Sequence, residues 1–424
     1  MISFFTEAAL CIMMTGCTSK TEAPSPSVKP EPGKEESGVT ITVGEPLPSW
    51  EEGEMDIHFI NTTTGECALV IFPDGTQLLI DAASTSLKTN SNANYTNTGI
   101  RSRWDPTVTG TRGSQIISAY LKKCMVWTGN STLDYVVMTH LHNDHMGDTN
   151  SSHPMSASGS YRLNGLTEIL DGFSVSKMID RGWPDYDYPF DMQGLASNKE
   201  AIRNYVQAVK WHVANSGLKA EIFKAGSASQ ISPRTSKYDV RVQNIAVNGE
   251  IWTGKGTETK MTFPEKGEIE VKNPDKVTSA DKCPPENICS AVMKISYGDF
   301  DYFAGADLQY NGRSTFAWKD AELPCAKVAG TVEVMKADHH GSDNTNQADA
   351  LKALNPQAVI VNSWVDSHPR TSIIARIESS LPQADIFITN FWQGDRPAGV
   401  DDKVTPQEAA GVKGYDGNIV VRVF

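Results

Sequence analysis

A cluster of metal-binding residue types follows a short apolar segment in the first half of the chain. Residues 133–138 are mostly apolar, which predicts a buried strand, and Thr-His-Leu-His-Asn-Asp-His follows directly. Side chains two apart in an extended segment face the same way, so His140 and His142 can bind one metal ion. After the chain turns, Asp144 and His145 can reach a second ion alongside. Imidazole nitrogens and carboxylate oxygens suit Zn²⁺, or Mn²⁺ and Fe where oxygen predominates, so the segment predicts a metal centre.

The sequence around this cluster alternates between strand and helix patterns. Residues 67–72 and 76–81 predict two strands around a Pro-Asp-Gly turn, and the second strand ends in Asp81. From Gly113 onward, apolar residues recur at helical spacing and predict a helix. This order of two strands, a polar loop, a helix and a strand is typical of α/β proteins.

The alternation stops in the middle of the chain and then returns. Residues 150–280 are rich in turns and lysines apart from one amphipathic helix at 199–216, which indicates an insertion that shapes the substrate entrance. A single folded domain is predicted to cover residues 54–424. Its later part predicts strands at 291–295, 302–304, 332–335, 358–361, 385–388 and 418–423, and helices at 347–354 and 371–381.

Taken together, the motifs resemble those of the metallo-β-lactamase superfamily. The segment His140–His145 matches its HxHxDH signature, and Asp81 matches its first motif. Asp307, in Phe-Ala-Gly-Ala-Asp, matches the motif whose aspartate bridges two metals, and Asp338–Ser342 matches the late histidine motif. The resemblance covers most of residues 55–424, apart from the stretch interpreted as an insertion and a short C-terminal segment.

The Asp-His-His-Gly-Ser form of the late motif narrows this resemblance. Asn287–Ser290 stands ahead of one apolar strand, His368–Pro369 follows another, and a strand that starts near Gly417 closes the chain. In these features the chain looks like the extracytoplasmic hydrolase domain of the competence protein ComEC. Similar motifs occur in the phosphorylcholine esterases of the superfamily.

The resemblance implies an α/β fold, namely an αββα sandwich with two facing mixed sheets, helices outside and the metals at one sheet edge. It also implies a ligand set for two zinc ions, with Mn²⁺ or Fe as alternatives. The first ion would be held by His140 and His142, the second by Asp144, His145 and His340, with Asp307 bridging and Asp81 orienting ligands from behind.

One position departs from the superfamily pattern. Most members have a histidine in a Gly-His-Thr context ahead of the bridging aspartate, where this chain has Asn287. The first ion would then have Asn287 or water as its remaining ligand and would bind more weakly. A centre with a single ion is the alternative.

The late motif contains two adjacent histidines whose roles spacing alone does not separate. Neighbouring side chains point apart, so one of His339 and His340 would bind metal while the other faces substrate or a supporting carboxylate; His340 is the favoured ligand. The candidates for catalysis are Asp144, His340 and His368. His368 could contact a phosphate or protonate a leaving group, and a surface histidine before a proline is the alternative.

The N-terminal residues resemble a bacterial lipoprotein signal. Residues 1–17 are mostly apolar and end in Met-Met-Thr-Gly-Cys, so Cys17 would carry the lipid and anchor the chain to a membrane; a buried N-terminal helix is the alternative. Residues 18–53 are rich in proline and charge, which is typical of an extended tether. The expected location is the bacterial cell envelope, outside the cytoplasm. There, Cys283 and Cys289 lie close enough in sequence to form a disulfide.

Charge limits the classes of substrate. With 38 Lys and Arg against 51 Asp and Glu, the formal net charge is −13, which argues against tight binding of long nucleic acids. Bound cations would still attract a phosphate, so the net charge does not exclude a phosphodiester. The leading hypothesis, which the His-His-Gly-Ser motif and Asn287 motivate, is hydrolysis of a small or exposed phosphodiester by a metal-activated water. The alternatives are hydrolysis of a lactone or β-lactam and a tethered binding protein without turnover.

Overall fold

Two mixed β-sheets pack face to face in the computed structural model, and helices cover their outer faces. The expected αββα sandwich is therefore confirmed. The structure describes residues 10–14, 46–85, 112–310, 316–365, 367–392 and 405–424.

Seventeen strands are present in the described part of the chain. In chain order they are β1 (Leu10–Met14), β2 (Met55–Phe59), β3 (Ala68–Ile71), β4 (Gln77–Ile80), β5 (Thr132–Met138), β6 (Ser174–Asp180), β7 (Lys219–Ile222), β8 (Val240–Val247), β9 (Glu250–Trp252), β10 (Thr259–Met261), β11 (Val292–Tyr297), β12 (Phe300–Ala304), β13 (Val334–Lys336), β14 (Ala358–Val361), β15 (Asp385–Ile388), β16 (Val412–Tyr415) and β17 (Ile419–Val423).

The α-helices of the same residues connect these strands. They are α1 (Gly113–Thr128), α2 (Asn143–Met146), α3 (Leu166–Gly172), α4 (Met192–Leu195), α5 (Lys199–Asn215), α6 (Glu322–Ala329), α7 (Ala348–Leu354), α8 (Thr371–Ser380) and α9 (Pro406–Gly411).

The first sheet has the strand order β1-β17-β2-β3-β4-β5-β6-β7, and the second has the order β10-β9-β8-β11-β12-β13-β14-β15-β16. In each sheet a run of parallel strands meets an antiparallel half: β4 to β7 are parallel in the first sheet and β12 to β16 in the second. The parallel strands of each sheet bring their carboxyl ends to one edge, where ligands commonly bind in α/β sheets.

Alternating side chains of the central strands build three apolar layers. In β4, Leu78 and Ile80 face the other sheet, whereas Leu79 faces the helices α1, α3 and α5. In β14, Ile360 faces between the sheets and Val359 faces α6, α7 and α8. Because both faces of these strands are buried, their sequences are continuous apolar runs, which is why the sequence predicted them well.

The prediction that residues 150–280 form one insertion is wrong. This stretch supplies β6 and β7 to the first sheet and β8, β9 and β10 to the second. Its strands are hard to recognise because their faces are unevenly buried; the first half of β6 is partly exposed and only its last three residues are buried. Residues 262–291, between β10 and β11, contain no sheet strand and form three short 3₁₀ turns at Lys266–Glu268, Pro274–Lys276 and Glu286–Cys289.

The N-terminal predictions fall largely outside the described residues. Leu10–Met14 form a strand that pairs in parallel with β17, so the alternative of a helix does not hold at these positions. The lipid anchor at Cys17 and most of the tether lie outside the described residues. No α-helix of the described ranges has both the length and the apolar character needed to span a membrane. Cys283 and Cys289 are buried with free thiols and form no bridge.

Candidate metal centre

The HxHxDH segment begins where β5 reaches the carboxyl edge of the first sheet. His140 follows the end of β5, and the single turn α2 then carries Asp144 and His145 back toward the sheet. The His145 carbonyl accepts a hydrogen bond from the Ala82 amide at 2.9 Å, and the Asp144 carbonyl accepts one from the Glu66 amide at 2.8 Å. The loop after β2 comes this close because Gly65 has φ +141°, and a Cβ there would lie 2.6 Å from the Asp144 carbonyl oxygen.

The structure brings His140, His142 and Asp307 together in a first group of ligand atoms. All three atoms lie within 4.8 Å of one another. His140 Nε2 is 3.0 Å from His142 Nδ1 and 3.7 Å from Asp307 Oδ2. His142 therefore faces the group with Nδ1, while its Nε2 lies 3.1 Å from Asp275 Oδ1.

A second group lies beside the first and shares Asp307 with it. His145 Nε2 is 3.1 Å from Asp307 Oδ2, and His340 Nε2 is 3.4 Å from the same oxygen. His340 Nε2 also lies 3.3 Å from Asp144 Oδ2. Glu66 belongs to this group by distance, and its Oε2 lies 3.3 Å from His340 Nδ1. Asp307 Oδ2 is thus positioned to be shared between two cations.

Three buried polar atoms at this meeting point have no hydrogen-bond partner among the residues that the structure describes. They are His145 Nε2, His340 Nε2 and Asp307 Oδ2, and each belongs to a residue that is at most 1% exposed. Leaving a buried polar atom unpaired is costly, so atoms of this kind that converge call for a ligand. Nitrogen and carboxylate donors fit a divalent transition metal, with zinc, manganese and iron all compatible with the donor set.

The rings of these histidines are oriented from behind by core residues. Asp81 Oδ2 lies 2.7 Å from His145 Nδ1, and the same carboxylate accepts hydrogen bonds from the Thr139 amide and hydroxyl. His340 Nδ1 lies 2.8 Å from the Asn362 carbonyl oxygen. Such partners fix the ring tautomer and direct the other nitrogen toward the metal. Asp81 therefore lies where the sequence analysis expects an orienting carboxylate.

A buried lysine on β13 compensates the carboxylates of the centre. Lys336 Nζ lies 2.9 Å from Glu66 Oε2 and 3.3 Å from Asp307 Oδ1, and it donates a hydrogen bond to the Ala306 carbonyl. Lys336 thus contacts one oxygen of the Asp307 carboxylate, and the other oxygen, Oδ2, faces the histidines.

The electrostatics of the metal-free centre follow from this dense packing. Although burial lowers the pKa of His145, the charges of Asp307 and Asp81 raise it to about 10. Burial and the neighbouring charge of His145 hold the pKa of His140 well below its usual value. Burial would raise the pKa of Asp307, but His145, His340 and Lys336 hold it well below its usual value. A metal ion would displace the proton from His145, because ligating imidazoles are neutral.

His339 of the late motif and His368 lie beside the centre without joining either group. His339 Nε2 lies 3.8 Å from Asp307 Oδ2, and its side chain is 24% exposed. Both His339 and His340 have left-handed φ angles, +47° and +55°, which turn the two rings in different directions. The His368 ring centroid lies 6.1 Å from each of theirs. The sequence analysis leaves open which of His339 and His340 binds metal. The geometry places His340 among the ligands and leaves His339 and His368 beside them.

Burial, the largest cause, lowers the pKa of His339 to about 4 and that of His368 well below its usual value. Both rings are therefore neutral near pH 7. A neutral imidazole can donate a hydrogen bond to a phosphate but is a poor proton donor, so hydrogen bonding is the role that His368 fits better.

Asn287 contacts the late motif through the nitrogen of its side-chain amide. Its Nδ2 lies 3.2 Å from His339 Nδ1 and 3.1 Å from Gln309 Oε1. Asn287 thus contacts the residue next to a ligand, and within the described part of the chain its Oδ1 is buried without a hydrogen-bond partner.

Three residues of the centre have no role in the sequence analysis, namely Glu66, Asp275 and Lys336. Glu66 follows a loop of threonines, and Asp275 lies in the stretch interpreted as an insertion. Lys336 could have been noticed, because a lysine that ends a short apolar strand just before Asp-His-His is buried only when carboxylates surround it.

Comparisons with known proteins add only distant likenesses. No protein-family model and no curated protein matches the sequence. Similar solved structures include the metallo-β-lactamase fold protein YhfI from Bacillus subtilis (10% identity, 80% of this chain and 97% of that chain, TM-score 0.39). They also include unliganded yeast PDE1 (9% identity, 87% and 97%, TM-score 0.34) and Zn²⁺-bound PqqB from Methylobacterium extorquens (9% identity, 77% and 85%, TM-score 0.32). Identities and TM-scores this low do not establish an activity or a metal, and the ComEC-like subgroup stays a prediction.

Proposed function

We propose that this chain is a metal-dependent hydrolase that cleaves phosphodiesters outside the cytoplasm. The observation that carries the proposal is the position of Asp307 Oδ2, which lies within 3.8 Å of imidazole nitrogens from His140, His145 and His340 and belongs to both ligand groups. A carboxylate oxygen shared in this way is typical of sites that hold two cations for the displacement of a phosphoryl or acyl group.

Some residues of the centre would bind the two ions, and others orient the ligands. When bound, the cations would act as Lewis acids toward a phosphoryl oxygen and activate a water at neutral pH. His140, His142 and Asp307 would hold the first ion; Asp144, His145 and His340, again with Asp307, would hold the second. Asp81 and the Asn362 carbonyl keep the His145 and His340 rings in place, which limits reorganisation during the reaction.

The preference for a phosphodiester rests on His339 and His368. Both are neutral imidazoles beside the ligands, with ring centroids 6.1 Å apart, and both can donate hydrogen bonds to the non-bridging oxygens of a phosphate. A lactone or β-lactam presents one carbonyl oxygen and needs fewer donors. The acidic chain also disfavours long nucleic acids, so small or exposed phosphodiesters are the proposed class.

The proposed location depends on the N-terminal residues. A lipid on Cys17 and a proline-rich tether would hold the hydrolase domain near the outer side of a membrane in the cell envelope. Labelling of the expressed full chain with a fatty-acid probe, with Cys17→Ser as the control, tests this part. We expect labelling of the native chain only; equal labelling of both would overturn the anchor.

A substrate panel tests the activity. Protein loaded with Zn²⁺, Mn²⁺ or Fe²⁺ is offered bis-p-nitrophenyl phosphate, a phosphocholine ester, an acyl-homoserine lactone and nitrocefin. We expect turnover of the phosphodiester, loss of it in Asp144→Ala, and full activity in Asp239→Asn, whose side chain is 67% exposed. Preference for the lactone or nitrocefin would replace the phosphodiester by an acyl substrate, and binding without turnover would favour a tethered binding protein.

A further inference from the structure

The most exposed histidine of the two ligand groups is held by a segment outside the sheets. His142 has a side chain that is 26% exposed, whereas the side chains of His140, His145 and His340 are at most 1% exposed. Its outer nitrogen, Nε2, lies 3.1 Å from Asp275 Oδ1. Asp275 belongs to the 3₁₀ turn Pro274–Lys276 within residues 262–285, which we call the crossing segment.

Asp275 uses both carboxylate oxygens. While Oδ1 contacts His142, Oδ2 accepts a hydrogen bond of 2.6 Å from the Ser197 amide, just before α5. The turn around Asp275 is itself closed, because the Asp275 amide donates a hydrogen bond to Asn273 Oδ1 at 2.9 Å. The carboxylate therefore joins His142, the start of α5 and the crossing segment at one point.

A neighbouring side chain holds the residues on either side of His142. Asn198 Nδ2 donates hydrogen bonds to the Leu141 carbonyl at 2.8 Å and to Asn143 Oδ1 at 2.9 Å. The backbone around His142 is thus fixed from α5, and its ring is fixed from the crossing segment through Asp275. With Nε2 turned to Asp275, Nδ1 is turned toward His140 Nε2 at 3.0 Å.

The other three ligand histidines have different supports. The far nitrogens of His140, His145 and His340 face Thr139 Oγ1, Asp81 and the Asn362 carbonyl, which directly follow strands β5, β4 and β14 of the two sheets. The sandwich orients those rings by itself. Within the described residues, only the first ligand group depends on a segment that the sheets do not contain.

We propose that Asp275 is a positioning residue that couples binding of the first metal ion to docking of the crossing segment. The proposal rests on the metal centre of the proposed function. Asp275 fixes the tautomer of His142 that presents Nδ1 to the ion, and the ion in turn fixes the ring that Asp275 contacts. Because coupling between two binding events is reciprocal, loss of either contact weakens the other.

The test compares Asp275→Asn with Asp281→Asn. Asp281 lies in the same segment, forms an ion pair of 2.7 Å with Lys272 and accepts hydrogen bonds from Thr278. Each full-length protein is titrated with Co²⁺ and Zn²⁺ against a competing chelator, and the absorption of bound Co²⁺ reports each position. We expect Asp275→Asn to lower affinity at the first position by about 10–100-fold, to leave the second position unchanged, and to alter the Co²⁺ spectrum of the first; Asp281→Asn should behave as the native chain.

Hydrogen exchange of the native protein gives a second readout that needs no variant. We expect amides of residues 262–285 to exchange faster after metal removal, while those of β8 and β11 do not change. The coupling would be overturned if Asp275→Asn bound metal at both positions with the affinity of the native chain. It would also be overturned if hydrogen exchange in residues 262–285 were the same with and without metal. A native chain that binds no metal would instead overturn the proposed function itself, so the two failures are distinguishable.

Discussion

Lys336 Nζ lies 3.3 Å from Asp307 Oδ1, so the two oxygens of the shared carboxylate have different partners. Oδ1 faces a buried ammonium group, whereas Oδ2 faces the imidazole nitrogens. Both residues are at most 2% exposed. The centre therefore contains a fixed positive charge of its own, and this charge holds the carboxylates together before any metal binds.

This relationship predicts that Lys336→Met destabilises the metal-free protein. Removing the cation leaves Glu66 and Asp307 buried without it, and breaking a buried ion pair costs about 3–5 kcal/mol. Added Zn²⁺ should restore part of the loss, because a bound cation stabilises the same carboxylates. Urea unfolding with and without chelator measures both effects. Lys294→Met, which removes a more exposed ion pair with Asp301, should cost about 1 kcal/mol or less; equal losses for the two variants would contradict the prediction.

Replacement of His340 and replacement of His339 should have different effects on the metal content of the protein. His340→Ala removes a nitrogen that lies 3.4 Å from Asp307 Oδ2, so we expect one ion fewer per chain by elemental analysis. His339→Ala should keep the native metal content and lower phosphodiester turnover, since His339 lies beside the ligands rather than among them. Loss of metal in His339→Ala with retention in His340→Ala would reverse the assignment.

Asp81→Asn should weaken metal binding without preventing folding. The amide keeps the size of the side chain and can still accept from Thr139, but it removes the carboxylate charge that contacts His145 Nδ1 at 2.7 Å. We expect an affinity loss of about 10–100-fold at the second position, in line with other partners of ligating histidines. Chelator competition measures it, with Asp239→Asn as the surface control. Unchanged affinity would mean that Asp81 has only a structural role.

The stability of the protein in acid should depend on the buried ion pair between Asp56 of β2 and Arg422 of β17. Burial alone would raise the pKa of Asp56, but hydrogen bonds from Arg422, both 2.7 Å long, and from His58 lower it below its usual value. Because the folded state binds this proton more weakly than the unfolded state, the pair stabilises the fold above pH of about 4 and loses that contribution as the pH falls further.

Asp56→Asn provides the corresponding variant. We expect it to lose about 3–5 kcal/mol at pH 7, because Arg422 stays buried without a carboxylate partner at Asp56. Its unfolding free energy should fall less steeply than that of the native chain between pH 5 and pH 2. Parallel pH profiles in urea unfolding would show that the Asp56 carboxyl does not contribute.

The sequence predicted the parts of the centre that follow buried strands. The strands ending near Asp81 and His140 are continuous apolar runs, and the residues just beyond them must lie at one sheet edge. Periodicity also located helices α1, α5 and α8 within a few residues. Local pattern was sufficient for these elements because the spacing of their buried residues is regular along the chain.

Local pattern was insufficient where a contact joins distant parts of the chain. Asp275 reaches His142 across 133 residues, and no spacing rule links a 3₁₀ turn in a polar stretch to a metal ligand. Strand β6 in the same stretch was not recognised, because its first residues are partly exposed and include serine and lysine. Glu66 was missed because a buried charge is recognised by its partners, which only the fold reveals.

We propose that the two ligand groups around Asp307 bind metal and that the metal supports phosphodiester hydrolysis, and one preparation can test both parts of this proposal. Its most direct test measures metal content and bis-p-nitrophenyl phosphate turnover on the same full-length preparation, before and after chelation and after return of Zn²⁺, Mn²⁺ or Fe²⁺. We expect two ions per chain, turnover that is lost with the metal and recovered on its return, and no recovery in Asp144→Ala. A chain that binds no transition metal, or one that binds it and turns over no phosphodiester with any of the three ions, would contradict it.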